Sequence, residues 1–128
     1  MRYLLDTHLL LWAIADDRRF PARVRGLLAE SGAEAFFSAA SVWEVAIKNG
    51  LPRRSLGIPA DDFRRECLDA GFRELPVAAR HAAAVESLPH RHEDPFDRLL
   101  LAQAIEEDCT LLTHDTLLPA YGAPVQRV

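Results

Sequence analysis

Lysine is nearly missing from this chain: of its 15 Lys and Arg residues only Lys48 is a lysine. Cysteine is scarce as well. Cys67 and Cys109 stand alone, with no Cys-x-x-Cys or Cys-x-x-His spacing, which excludes a zinc-finger pattern and gives no disulfide framework. A reducing cytoplasm is therefore the simpler expectation. No apolar run is long enough to cross a bilayer, since Leu9 to Ala15 falls far short. Asp6 and His8 interrupt what would have to be the uncharged core of a signal peptide. Internal repeats, low-complexity tracts and long linkers are absent. A basic surplus is absent too: the net charge is −4. This argues against a stand-alone binder of nucleic acid that works by neutralising phosphates. It weighs less against an acidic metal pocket, which lowers net charge by itself. The pairs Arg18–Arg19, Arg53–Arg54 and Arg64–Arg65 read first as solvated surface charge.

What is present fits one globular domain over residues 1–128, with 49% hydrophobic residues. A chain this long buries roughly two-thirds of its surface on folding, so it needs neither disulfide nor structural metal to fold. Short apolar runs alternate with helical patterns. Strands are expected at Tyr3–Leu5, Ala35–Phe37, Arg73–Leu75, Thr110–Thr113 and Val125–Val128. Helices are expected at Leu9–Ala15, Ala22–Glu30, Ser41–Asn49, Asp61–Ala70, Ala78–Ser87 and Pro95–Glu107, with Gly50, Pro52, Gly71 and Pro89 as stops. Alternation of this kind implies an α/β fold: a central, mostly parallel sheet with helices on both faces. Ligands of such sheets bind beyond the carboxyl ends of the strands.

Four acids fall at that edge. Asp6 follows the first strand, and Glu44 lies early in the helix after the second. Asp97 opens the clearest helix, and Asp115 follows the strand Thr110–Thr113. Each has an ordinary explanation. Ser41 and Glu44 have capping-box spacing, and Glu44 with Lys48 has the (i, i+4) spacing of a surface ion pair. Asp94 before Pro95 is a natural N-cap, Asp97 is an acid at the positive end of a helix, and Asp115 can cap a short helix containing Leu117 and Leu118. Asp97 resists that explanation best, because it shares a helix face with Leu100, Leu101, Ala104 and Ile105. Asp6, between two apolar runs, has the same character. Carboxylates that converge repel one another unless a cation joins them. Hard oxygen ligands suit Mg²⁺ or Mn²⁺, and such an ion assists phosphodiester hydrolysis.

Four segments together carry a resemblance: Leu4-Leu5-Asp6-Thr7-His8-Leu9-Leu10-Leu11-Trp12, Ser38-Ala39-Ala40-Ser41-Val42-Trp43-Glu44-Val45-Ala46-Ile47-Lys48, His92-Glu93-Asp94-Pro95-Phe96-Asp97-Arg98-Leu99-Leu100 and Leu112-Thr113-His114-Asp115. In this order the chain resembles the PIN-domain ribonucleases, specifically the VapC-type toxins of bacterial toxin–antitoxin pairs. The resemblance implies an endoribonuclease holding Mg²⁺ or Mn²⁺ with the acids matching Asp6, Glu44, Asp97 and Asp115. The first, third and fourth lie nearest the metal, and the second helps position metal or water. Thr113 matches a hydroxyl that supports the cluster. Asp94 matches a frequent acid, read here as N-cap, and Arg98 is a candidate phosphate contact. A homodimer and a small cognate antitoxin are the implied protein partners, with RNA as substrate.

Rival readings are an acid–base ribonuclease using His8, His81, His90, His92 or His114, a phosphoryl-accepting α/β domain, and a non-catalytic interaction module docking through Trp12, Trp43 and Phe96. The second is disfavoured: Asp6-Thr7-His8 lacks the Asp-x-Asp of a dehalogenase-like phosphatase, and no late lysine follows a strand. No Gly-x-Gly-x-x-Gly or Walker-type loop follows the first strand.

Overall fold

The computed structural model describes residues 1–128. The chain runs β1 (Arg2–Leu5), α1 (Thr7–Ile14), α2 (Ala22–Ala29), β2 (Glu34–Ser38), α3 (Ala39–Asn49), α4 (Ala60–Asp69), β3 (Arg73–Leu75), α5 (Ala79–Ala84), α6 (Pro95–Glu106), β4 (Thr110–Thr113) and β5 (Val125–Arg127). All strand pairs are parallel, in the order β3-β2-β1-β4-β5. The expected α/β architecture is the one observed.

Apolar residues on both faces of the central strands β1, β2 and β4 explain why the sheet is covered twice. Successive side chains point to opposite sides. Tyr3, Leu5, Phe37 and Leu112 join one buried cluster, with Leu9 and Leu10 of α1, Val24 of α2, and Phe63 and Cys67 of α4. Leu4, Phe36 and Leu111 join the other, with Leu100, Leu101 and Ala104 of α6. α3 contributes Val45 to the first cluster and Ala40 to the second. A parallel sheet buried this way needs near-continuous hydrophobic strands, which is what the sequence supplies.

Several local expectations change. Ser41 does not cap α3. Ser38 does, its Oγ accepting the Ala40 N–H at 2.9 Å, because β2 runs directly into the helix without a loop. Glu44 is thus in the second turn and no capping box forms. The helix expected over 78–87 shortens to α5 and tightens into a 3-10 turn at Val85–Ser87 ahead of Pro89. Ile105 is 49% exposed, so the apolar stripe of α6 is narrower than the sequence pattern suggested. Asp94 is the N-cap of α6 as expected, accepting the N–H groups of Phe96 and Asp97, with Pro95 in the first turn.

The topology positions the site. Chain order reverses direction at β1: β2 and β3 lie to one side of it, β4 and β5 to the other. The crevice between the carboxyl ends of β1 and β4 is the switch point of the sheet. A buried link sets α6 against the β2 side of the sheet: Ser38 Oγ donates to Gln103 Oε1 at 2.5 Å, and Gln103 Nε2 donates to the Pro76 carbonyl.

Candidate metal centre

At that crevice lies an open pocket of about 330 Å³, lined by eleven residues of which only Trp12 is hydrophobic. Five lining residues are acids, Asp6, Glu44, Asp94, Asp97 and Asp115, and the lining cation is Lys48. All four acids expected from the sequence therefore reach one cavity.

Asp6 is buried at the β1–α1 junction. Its Oδ1 accepts the Leu9 N–H at 2.8 Å, capping α1, and its Oδ2 accepts Thr113 Oγ1 at 2.6 Å and the His114 N–H at 3.1 Å. Burial raises its pKa, outweighing the hydrogen bonds from Thr113, Leu9 and His114 that favour the charged form. Thr113 is fully buried; its Oγ1 also accepts the Asp115 N–H at 3.0 Å, so one hydroxyl joins the two strand-end acids. Asp115 follows β4, and its Oδ2 accepts the N–H groups of Leu117 (2.9 Å) and Leu118 (2.8 Å), opening the 3-10 turn Leu118–Tyr121. It is thus both a cap and a lining acid. Burial raises its pKa, but the Leu118 and Leu117 amides together with His92 leave it lowered.

Glu44 and Asp97 differ sharply. Both oxygens of Glu44 are engaged: Thr7 Oγ1 donates to Oε1 at 2.6 Å, and Lys48 Nζ reaches Oε2 at 2.6 Å. Its side chain is 5% exposed and that of Lys48 23%, so the (i, i+4) pair is sunk into the pocket wall and is not the surface pair its spacing suggested. No lysine or arginine pairs with Asp97. Burial pushes its carboxyl up to about 8, reinforced by the charges of Asp94, Asp6, Glu44 and Asp115. The group beside it is His92, whose Nε2 is 3.3 Å from Asp97 Oδ2 and 3.1 Å from Asp115 Oδ2.

This donor set fits a hard divalent cation. It is built of carboxylate oxygens, no thiol lines it, and one of its acids is held in a site that disfavours its charge. His92, Asp97 and Asp115 each present a ligand-type atom within 4.8 Å of the others; Asp6 stands outside that trio but in the same pocket.

The PIN domain family matches residues 3–123 of the chain. The chain belongs to the PIN-domain family. A curated relative, Ribonuclease VapC22 of Mycobacterium tuberculosis, is 30% identical over 122 residues, covering 94% of this chain and 92% of that protein. The VapC-type resemblance read from the four segments is thus supported over nearly the whole length. Among solved structures, VapBC2 from Rickettsia felis bound to a promoter DNA fragment has a chain similar in fold, with TM-score 0.66 at 17% identity over 99% of this chain and 98% of that one. A toxin–antitoxin complex from Klebsiella pneumoniae gives TM-score 0.66 at 19% identity over 97% and 95%.

Not every residue singled out in this PIN domain faces the pocket. Arg98 departs from its expected role. Its guanidinium donates to the carbonyls of Pro89 and Val85 and to Tyr121 Oη, so it clamps the loop before α6 and is absent from the pocket lining. Its place one residue after Asp97 turns it to another side of the helix. Arg19, Arg64 and Arg65 pair with Asp17, Glu74 and Asp62, so these arginines do not assemble a basic stripe. His8 and His114 line the pocket, and the His114 ring packs edge-on against Trp12 at 5.0 Å. Sequence reasoning considered His92 only as an acid–base candidate and did not place it between Asp97 and Asp115. Its spacing of two residues before the N-cap of α6 hinted at it, but the direction of its ring depends on the loop path.

Proposed function

We propose that this chain is an endoribonuclease dependent on Mg²⁺ or Mn²⁺, and the toxin half of a toxin–antitoxin pair. The observation that carries this reading is Asp97: an acid with no lysine or arginine to pair it, converging with Asp6 and Asp115 at the sheet's switch point. Membership of the PIN-domain family and the name of its relative, Ribonuclease VapC22, support the activity. The toxin–antitoxin complexes among its structural neighbours support the biological role.

Asp6, Asp97 and Asp115 would hold the ion. When bound, it supplies Lewis-acid stabilisation of charge on a phosphoryl group and makes water more acidic. The chain's residues supply orientation. Asp6 is fixed by three donors at the end of β1, so its carboxylate cannot rotate freely. Glu44, held by Thr7 and Lys48, forms a rigid acidic wall that orders water or substrate hydroxyl groups. Trp12, the one hydrophobic lining residue, lies where an unstacked base could pack.

The protein partners follow the same reading. A small antitoxin would present a basic side chain to the acidic pocket and block RNA. A second copy of this chain would cover the apolar ridge of α3, where Trp43 is 57% exposed and Ile47 is one turn further along the same face. No helix is long and apolar enough to cross a membrane, and action in the cytoplasm is part of the proposal. The rival interaction module draws on the same Trp43, packed edge-on against Phe96 at 5.2 Å; no metal-stimulated RNA cleavage, or cleavage equal in the parent and Asp6→Asn and so foreign to the chain, would favour it.

Incubation of the pure protein with total RNA, with Mn²⁺ or with chelator, tests the reading. Cleavage is expected only with metal, leaving 5′-phosphate and 3′-hydroxyl ends. Cleavage in chelator leaving 2′,3′-cyclic phosphate would overturn it in favour of histidine acid–base chemistry.

A further inference from the structure

His92 is buried, 8% exposed, at the mouth of the acidic pocket. Its two ring nitrogens have different duties. Nδ1 accepts the backbone N–H of Asp94 at 3.0 Å. A nitrogen that accepts an N–H carries no proton itself, so in the neutral ring the proton resides on Nε2. Nε2 is the atom that faces the acids, 3.1 Å from Asp115 Oδ2 and 3.3 Å from Asp97 Oδ2.

We propose that His92 is a positioning residue of the acidic centre: it donates its Nε2–H to Asp115 Oδ2, lies within 3.3 Å of Asp97 Oδ2, and so orients both carboxylates toward a divalent cation without ligating that cation. The inference rests on the metal-dependent reading above.

Three features support it. A nitrogen bearing a proton has no lone pair for a metal. To ligate through Nε2, the ring would have to give up its bond to the Asp94 N–H, which lies at the N-cap of the helix carrying Asp97. Second, Asp115 Oδ2 already accepts two backbone N–H groups, from Leu117 and Leu118. A third donor at the same oxygen saturates it and leaves Oδ1 as the oxygen available for coordination. Third, the carboxylate of Asp97 receives no hydrogen bond, with His92 Nε2 at 3.3 Å the side-chain N–H beside it, whereas Asp6 receives three. His92 is therefore the one group that ties the acid on α6 to the acid after β4, two segments far apart in sequence.

Partners that orient ligating carboxylates typically change metal affinity by about 10- to 100-fold when removed. The test is a Mn²⁺ titration of the full chain followed by electron paramagnetic resonance, comparing the parent with His92→Leu and His92→Gln. Glutamine keeps an N–H donor near the position of Nε2; leucine removes it. Mn²⁺ affinity is expected to fall about tenfold or more in His92→Leu and to recover most of that loss in His92→Gln, both variants melting cooperatively in chelator. Bound Mn²⁺ in the parent should show no coupling to a directly coordinated nitrogen. Parent-like affinity in His92→Leu would overturn the assignment while leaving the metal site intact. A coordinated-nitrogen signal that His92→Leu abolishes, or a folded His92→Gln no better than leucine, would overturn it by making the ring a ligand. If the parent itself binds no Mn²⁺, the metal reading fails and His92 falls with it.

Discussion

Glu44 and Asp97 are both helix acids lining the same pocket, yet the protein treats them in opposite ways. Glu44 is neutralised by its own helix: Lys48 lies one turn on, and Thr7 satisfies its other oxygen. Asp97 is placed on a stripe with Leu100, Leu101 and Ala104, three buried residues, and no lysine or arginine of the chain pairs with it. The Glu44 side is complete as it stands. The Asp97 side is finished only by something from outside, whether a proton or a cation. The contrast separates an acid paired within the chain from one left without a lysine or arginine, a distinction that the spacing of carboxylates alone does not reveal.

The largest effect should come from neutralising the incomplete side. Asp97→Asn is expected to lower metal-dependent RNA cleavage by roughly a hundredfold or more, the scale on which single electrostatic stabilisers act. Without metal it should leave the protein at least as stable as the parent near neutral pH, since it removes a charge that the site disfavours. The pH dependence has a definite sign. The Asp97 carboxyl is pushed up to about 8 in the folded protein, against about 4 in an unfolded chain. Folding then favours the protonated form, a contribution that is full below about pH 4 and is lost as pH rises through about 8. Metal-free stability of the parent should fall across that window by on the order of a few kcal/mol, and Asp6, raised in the same direction, adds to the slope. Asp115, lowered in the folded state, acts oppositely and only at acid pH. Melting curves in chelator from pH 4 to 9 should show a flatter profile for Asp97→Asn. An unchanged slope would mean that Asp97 is already compensated, and the contrast with Glu44 would collapse.

The complete side should respond with the reverse sign. Lys48→Met removes the ammonium but keeps much of the side chain's apolar stem, leaving the Glu44 carboxylate buried with only the Thr7 hydroxyl. Breaking a buried pair by deleting one partner typically costs 3–5 kcal/mol; because Lys48 retains some exposure, about 2 kcal/mol is expected here. Glu44→Gln placed on top of Lys48→Met should restore part of the loss, since the amide carries no charge. Urea unfolding of the three proteins measures this directly. If Lys48→Met is as stable as the parent, the ion pair contributes little and Glu44 is no better compensated than Asp97.

How far these roles could be read from the sequence follows the length scale of each interaction. The sheet and its covering helices were legible because strand alternation and helix stops are local. The convergence of Asp6, Glu44, Asp97 and Asp115 was legible because parallel topology brings strand ends to one edge. The capping of α3 by Ser38 was not, since it depends on β2 running into the helix without a loop. Lys48 was visible as an (i, i+4) partner, but its burial was not, because burial is set by α1 and Thr7 on the far side. The hold on Arg98 was hidden for the same reason: the carbonyls of Val85 and Pro89 that bind it are 13 and 9 residues away. His92 needed the loop before α6 to turn its ring toward two acids from different segments.

The smallest effect distinguishes which partner holds Glu44. Thr7 is buried, and its Oγ1 lies 2.6 Å from Glu44 Oε1 and 2.8 Å from Ser41 Oγ. Thr7→Val keeps the branched shape and removes only the hydroxyl. A hydrogen bond to a charged acceptor contributes about 1.5–3 kcal/mol at most, but two effects reduce the loss. Glu44 keeps Lys48, and the valine methyl fills the same volume. A stability loss of about 1 kcal/mol is expected, smaller than that for Lys48→Met, with metal affinity unchanged because the Thr7 hydroxyl bonds to Glu44 and Ser41 and to none of the carboxylates of Asp6, Asp97 or Asp115. Chemical unfolding and a Mn²⁺ titration of Thr7→Val provide both values. A loss exceeding that of Lys48→Met would show that the hydroxyl, not the ammonium, stabilises the buried carboxylate, leaving Lys48 free to meet a phosphate. A fall in Mn²⁺ affinity would instead bring Glu44 into the metal's own coordination, and the two sides of the pocket would then be one.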